Sequence, residues 1–443
     1  MICPVQWHTS CSRVLMRFAK TKKTGRYKSS GSALRVGYAA TIDCAVLIAA
    51  QELGIFRKFG LEVRLSQEVG WTTIREKVLH EELDAAATHA CMLFSIYCGI
   101  GVVRRSCLAG LLLGRNGSAI TLAAEFWDQG VRDAASLGKV IQEHKGRRHF
   151  TFGVVQELSS QNWNLRKWLR SGGIDPDHDV RVVVIPSALM HATMRAGHLQ
   201  GYCVAEPWNS TAAMDGTGWL VTTTSEIEFN HPEKVLLVLQ EFAEKREEEH
   251  LRMIAALIEA SQFCDVPANR PELCRMLGQP GYFDMDEKLL ANALVGPIES
   301  GHGLRPVKDF VIYDALRAGT PTRATGKWVF DLVRHLGGNG ANPALRSEII
   351  PKIFREDIFQ KASRLAGNAN GRPRSSPFFL PDHPAEPKTA LAGQTFELTP
   401  PGLVSPYDLL PALPPPEPAG DPDQWRPTAG QPGALPNFSN STN

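Results

Sequence analysis

The chain has 443 residues, with 48 Lys+Arg against 46 Asp+Glu, a formal net charge of +2, and 43% hydrophobic and 8% aromatic residues. That apolar share supports a packed core and excludes a wholly disordered chain, a coiled coil and a collagen-like fibre. The near-zero charge argues against a surface built for polyanions, so no direct nucleic-acid contact is expected.

Residues 1–33 read as a disordered leader. A secretory signal starts basic and continues into an apolar run. Here the order is inverted: the short apolar stretch around Val14 is interrupted by Arg17, and Lys20, Lys22, Lys23, Arg26 and Lys28 follow it. The nine cysteines are scattered without CxxC pairs, as buried thiols of a reducing compartment would be. Both features point to the cytoplasm. The alternative is a periplasmic location with a misassigned N-terminus.

Residues 34–38 form a short strand pattern. Residues 44–58 carry a helical stripe of Val46, Leu47, Ala50, Leu53 and Phe56, with Asp43 as the expected N-cap. Residues 61–65 alternate as a strand, and this βαβ unit implies a parallel sheet with covering helices. The apolar region 85–113 is broken by His89, Arg104 and Arg105, and no run of about 18 apolar residues predicts a membrane span. Further strands are expected at 150–155, 180–185, 201–204, 219–223 and 235–239, with helices at 160–170 and 189–196 between them. Residues 242–263 read as one long amphipathic helix, its Glu247-Glu248-Glu249 run a solvated face. From 271 to 366 the pattern is looser and helical, with Trp328, Val329, Leu332, Val333 and Leu336 on one face. Of the 30 prolines, 17 lie beyond Gly371, so 371–443 reads as a Pro-rich disordered tail with a possible polyproline docking motif at Pro414-Pro415-Pro416.

Catalytic constellations are poor. There is no P-loop, GxSxG or HExxH, and the thirteen histidines lack metal-ligand spacing. No enzyme activity, metal or cofactor is expected. Several polar positions instead follow strand ends, where an α/β ligand crevice lies. Trp71 opens a helix with two hydroxyl residues. The Asn116-Gly117-Ser118 turn offers free backbone N–H groups and a hydroxyl to an anion. Ser159, Ser160 and Gln161 stand at a helix N-terminus, where capping and anion binding share the same N–H groups. Lys234, after the turn Asn230-His231-Pro232-Glu233, is either an ordinary exposed charge or the single cation of an anion site.

Taken in order, these segments resemble a known family. The carrying residues are Gly70-Trp71-Thr72-Thr73-Ile74-Arg75, Asn116-Gly117-Ser118-Ala119-Ile120-Thr121, 162–176, Cys203-Val204-Ala205-Glu206-Pro207-Trp208-Asn209 and Asn230-His231-Pro232-Glu233-Lys234-Val235. They are similar to the nitrate/nitrite-binding branch of type II periplasmic-binding-protein folds. That branch includes the substrate-binding proteins of nitrate and bicarbonate ABC importers and the NasS-type cytoplasmic sensors.

The resemblance implies an α/β, two-lobed fold, each lobe a sheet flanked by helices, with a helical C-terminal extension. Lobe 1 would comprise 34–119 and 225–305, lobe 2 would comprise 120–224, and the extension 306–370. It implies that the lobes close on nitrate or nitrite, held by Trp71, Gly117, Ser118, Gln161 and Lys234. Two positions depart from the family pattern: Ser118 stands where Gln or Asn is usual, and Gln161 where His is usual. His89 matches a family Ala-His pair. The lysine at 234 favours nitrate or nitrite over bicarbonate. The implied role is a sensor controlling a NasT-type RNA-binding antiterminator. The alternative is the substrate-binding component of an ABC importer, with its permease as partner.

Overall fold

The computed structural model describes residues 32–337 and 342–370. The expected leader, apart from residues 32 and 33, lies outside the described residues, as do the Pro-rich tail and its polyproline motif.

In chain order the strands are β1 (Leu34–Tyr38), β2 (Val63–Gln67), β3 (Ala85–His89), β4 (Cys107–Asn116), β5 (Ser118–Ala123), β6 (Thr151–Val154) and β7 (Arg181–Val184). They continue with β8 (Gly201–Ala205), β9 (Gly218–Thr223), β10 (Pro232–Leu239), β11 (Ile298–Glu299), β12 (Leu304–Arg305) and β13 (Val311–Ile312). Six form one sheet in the order β13-β4-β10-β3-β1-β2, five a second in the order β7-β6-β8-β5-β9, and β11 pairs with β12. In the first sheet β1 runs parallel to β2 and β3, while β10 runs antiparallel to β3 and β4. The second sheet repeats the scheme: β6 is parallel to β7 and β8, and β5 is antiparallel to β8 and β9.

Strand chemistry follows position. β4 is an interior strand buried along its whole length, which suits its near-continuous apolar run. Each sheet has its own apolar core. Val36, Ile48, Leu236, Ile254 and Leu257 belong to the first. Phe126, Phe152, Leu165 and Leu169 belong to the second. The chain passes from sheet to sheet at Gly117, between β4 and β5, and again across residues 224–231, between β9 and β10. The first crossing needs two left-handed residues, Asn116 at φ 60° and Gly117 at φ 83°. Asn and Gly tolerate that region best.

Two expectations change. The helix expected over 242–263 breaks at Arg246 (φ −123°) into Gln240–Lys245 and Glu247–Asp265. The acidic run therefore opens a helix, where the dipole favours carboxylates. There Glu249 meets Arg246 at 2.7 Å and Glu247 meets Lys361 at 3.0 Å. Residues 306–370 do more than add helices. β13 extends the first sheet beside β4, and Ile358, Phe359, Ala362 and Ala366 enter the first core.

Each sheet with its core and covering helices forms one unit, and in the second the helices Ala134–Glu143 and Ser160–Ser171 meet backbone to backbone. A Cβ at Gly172 would lie 2.1 Å from the Ala134 carbonyl oxygen. Backbone cannot yield as a flexible side chain does, so Gly172→Ala is expected to destabilise by about 3 kcal/mol. Urea unfolding of parent and variant checks this.

Candidate functional site

Lys234 sits near the start of β10, where the register with β4 is irregular on both sides of it. In a regular strand Glu233 and Lys234 would point to opposite faces. The irregularity re-aims them, and Lys234 Nζ donates to Glu233 Oε1 at 2.8 Å. Lys234 also pairs with Asp43 Oδ2 at 2.7 Å. Its relative exposure is 0%, so this is a buried cation with two buried carboxylates.

The second unit closes the cluster. Ser159 caps the helix Ser160–Ser171 by accepting from the Asn162 N–H, which fixes the next two side chains. Gln161 Nε2 donates to Ser118 Oγ and to Glu233 Oε1, both at 3.0 Å. Ser160 Oγ donates to Glu233 Oε2. On the first unit, His89 Nδ1 lies 3.4 Å from Glu233 Oε1 and His231 Nε2 lies 3.5 Å from Oε2. Trp71 opens the helix Trp71–Leu79, with its ring centroid 4.9 Å from Lys234 Nζ. The same ring meets His89 edge-on at 4.4 Å.

Trp71, Ser118, Gln161 and Lys234 are thus brought to one buried cluster between the two sheets. Gly117 is beside it but differs from expectation. Its N–H is not free: it donates to the Phe310 carbonyl at 2.7 Å. A Cβ at Gly117 would lie 3.3 Å from Asp43 Oδ1, so the glycine makes room for that carboxylate.

Asp43 itself was expected as an N-cap. It lies inside the 3-10 turn Ile42–Cys44, makes no capping bond, and serves as the ion partner of Lys234. Glu233 and His231 also stand in the cluster, although the sequence assigned neither a role, and Ser160, named there for its helix N-terminus, joins through its hydroxyl. Glu233 was in a quoted motif, but strand alternation sends it away from Lys234. His89 was noted only as a family match.

Burial dominates the electrostatics. Alone it would lower the Lys234 pKa, but Asp43 and Glu233 outweigh it and raise the value, so the ammonium stays charged. Burial raises the Asp43 pKa, more than Lys234 lowers it. Burial would also raise Glu233, yet Lys234, His231 and His89 together hold it well below the ordinary carboxylate range. Burial, aided by Lys234, lowers His89 to about 4, leaving a neutral imidazole. Trp71 Nε1 and Gln161 Oε1 are buried without a partner. Orphaned buried polar atoms are rare and call for a ligand or water. Here the indole offers a donor, beside a cation. Among the described residues no group of three or more His, Cys, Asp and Glu could hold a metal ion.

Other bonds tie the two units around this cluster. The Ile42 N–H donates to the Glu206 carbonyl at 2.9 Å, and Trp208 Nε1 to the Ala40 carbonyl at 3.0 Å. The Glu206 carboxyl is fully buried, and burial pushes its pKa up to about 7 despite the Ser210 N–H at 2.9 Å. The folded chain therefore keeps a proton that the unfolded chain releases near pH 4.5. Its contribution to stability is lost as pH rises through that window. Glu206→Gln removes the penalty. Its stability relative to the parent is expected to improve by about 2–3 kcal/mol between roughly pH 4 and pH 8. Urea unfolding at the two pH values measures the difference.

Within the second crossing, Glu228 accepts from two indoles. Trp163 Nε1 reaches Oε2 at 2.9 Å and Trp328 Nε1 reaches Oε1 at 2.8 Å.

The chain is similar to the nitrate import ATP-binding protein NrtC of Synechocystis sp., at 32% identity over 75% of this chain and 50% of that protein. It is similar to the nitrate/nitrite binding protein NrtA of Synechococcus elongatus, at 28% identity over 77% of this chain and 79% of that protein. It is also similar to the bicarbonate-binding protein CmpA of the same species, at 26% identity over 75% of this chain and 78% of that protein. The chain spans about half the length of NrtC. Among solved structures, the periplasmic nitrate-binding protein NrtA from Synechocystis superposes with a TM-score of 0.72 at 23% identity, covering 79% of this chain and 93% of that one. The shared architecture is the two-unit periplasmic-binding-protein fold. The NMT1-like family matches residues 28–278, more than half of the sequence, and the chain belongs to that family.

Proposed function

We propose that this protein binds nitrate or nitrite between its two units and performs no catalysis. The observation that carries the reading is Lys234, a fully buried cation beside the unpartnered indole N–H of Trp71. A small planar anion offers little apolar area. Its affinity must come from charge-assisted hydrogen bonds, worth about 1.5–3 kcal/mol each. One ammonium and several neutral donors supply them. The ammonium and the indole belong to the first unit and the Ser118 hydroxyl to the second, so the ligand would favour the arrangement that brings the units together. The names of the NrtA relatives support nitrate and nitrite, and CmpA makes bicarbonate the competitor to test.

The role proposed for this binding is that of a sensor controlling a NasT-type RNA-binding antiterminator, with RNA contact made by the partner. It rests on the resemblance to NasS-type sensors. The seven described cysteines support a reducing compartment, being all free and buried. The second reading, a binding component of an anion importer, draws on relatives named for import.

Calorimetric titration with nitrate, nitrite, bicarbonate and chloride tests the ligand. Saturable heat with nitrate or nitrite is the expected result, and heat with bicarbonate alone would refute it. Fractionation of the native host separates the roles, because a periplasmic protein cannot act on a cytoplasmic antiterminator.

A further inference from the structure

The buried cluster sets one cation, Lys234, against two carboxylates, Asp43 and Glu233. An ammonium has three N–H donors. One is donated to Glu233 at 2.8 Å, while Asp43 Oδ2 lies 2.7 Å from Nζ as an ion pair and is itself without a hydrogen-bond partner. An anion entering beside Trp71 would bring a third negative charge to a single positive one, in a site that excludes water.

The two carboxylates differ in their surroundings. Glu233 receives Gln161 Nε2 and Ser160 Oγ and has His89 and His231 beside it, besides Lys234. Those contacts favour its ionised form. Asp43 has Lys234 as its cationic partner. Around it stand Thr41 and Cys44 of its own turn, Glu233 of β10, and Tyr313 just after β13. Gly117 covers its other oxygen.

We propose that Asp43 is the proton carrier of this site: the chain takes up one proton, on an Asp43 carboxylate oxygen, with each anion it closes on. The inference rests on the anion-binding reading. The proton comes from water or buffer, and a single O–H bond forms. The neighbouring Ile42 N–H holds the Glu206 carbonyl of the second unit, so with the units apart that cover is lost, and Asp43 meets water and ionises. Closing on an anion buries it beside a new negative charge, and both changes favour the neutral acid. Neutral Asp43 stops competing for Lys234, leaves the charge of the ammonium to the anion, and becomes a donor itself. Burial already drives its pKa upward where it lies in this structure.

The test is calorimetric titration of the full chain with sodium nitrate and sodium nitrite, from about pH 5 to about pH 9, in two buffers of different ionisation enthalpy. The expected result is uptake of about one proton per anion, with affinity falling about tenfold per pH unit above the Asp43 pKa of the unbound chain. Asp43→Asn is expected to bind without proton uptake and without that slope. Asp43→Ser repeats the comparison if the Asn variant does not fold. Glu206→Gln controls for a second buried carboxyl, whose pKa burial pushes up to about 7, and uptake should persist in it. Binding by the parent without uptake overturns the proposal and leaves anion binding standing. Uptake that survives in both Asp43 variants, or is lost in Glu206→Gln, also overturns it. Binding of neither anion at any pH overturns both readings.

Discussion

Lys234→Ala is expected to abolish anion binding and to destabilise the protein by about 3–5 kcal/mol. The two losses have different origins. The binding loss follows because Lys234 is the cation of the cluster, leaving neutral donors to hold the charge of the ligand. The stability loss follows because Asp43 and Glu233 would be buried without their cation. A buried ion stripped of its partner is far more costly than the intact pair is favourable. The triple variant Lys234→Ala, Asp43→Asn, Glu233→Gln should therefore recover most of the stability and none of the binding. Urea unfolding and nitrate calorimetry on the same preparations read the two effects separately. A stability loss without a binding loss would remove Lys234 from the ligand site and leave it a structural ion pair.

The contrast between Lys234 and Asp43 marks how far the sequence could be read. Trp71, Ser118 and Gln161 were legible as candidates because each stands just after a strand end or at a helix start, where α/β folds place ligands, whereas Lys234, inside β10, stood out as a charge after a turn and through the family resemblance. The strands themselves were legible from alternation and apolar runs. The 34–38 strand matches β1 in full, and the 150–155 strand is β6, Thr151–Val154. Asp43 was not legible as a partner of Lys234. Its local context suits an N-cap, and only the folded sheet brings it beside β10. Glu233 was hidden by the irregular register of β10, which alternation cannot foresee. Gly117 was misjudged as a donor because the acceptor of its N–H, Phe310, lies far along the chain. The break at Arg246 escaped notice because the apolar stripe continues through it.

Glu228→Ala is expected to loosen the closed arrangement, at a cost of about 2–5 kcal/mol. Glu228 is buried, and its two oxygens accept from Trp163 and Trp328. Removing it leaves two indole N–H groups without acceptors, each worth about 1–3 kcal/mol when buried. The indoles come from different neighbourhoods. Trp163 lies on the helix Ser160–Ser171, which also presents Ser160 and Gln161 to the site. Trp328 lies on the helix Arg323–Leu336, which meets the first unit through Phe330 against Phe94 at 5.9 Å. One carboxylate in the second crossing thus holds both. Trp163→Phe or Trp328→Phe alone leaves Glu228 one indole, so each should cost less than Glu228→Ala. The double-mutant cycle should show coupling between the indoles, because they share an acceptor. Hydrogen exchange reads the consequence directly. Amides of residues 224–231 and of the helix Ser160–Ser171 should lose protection in Glu228→Ala, while those of β4 keep it. Uniform loss across both sheets would instead mean that Glu228 supports the fold as a whole and does not latch one unit to the other.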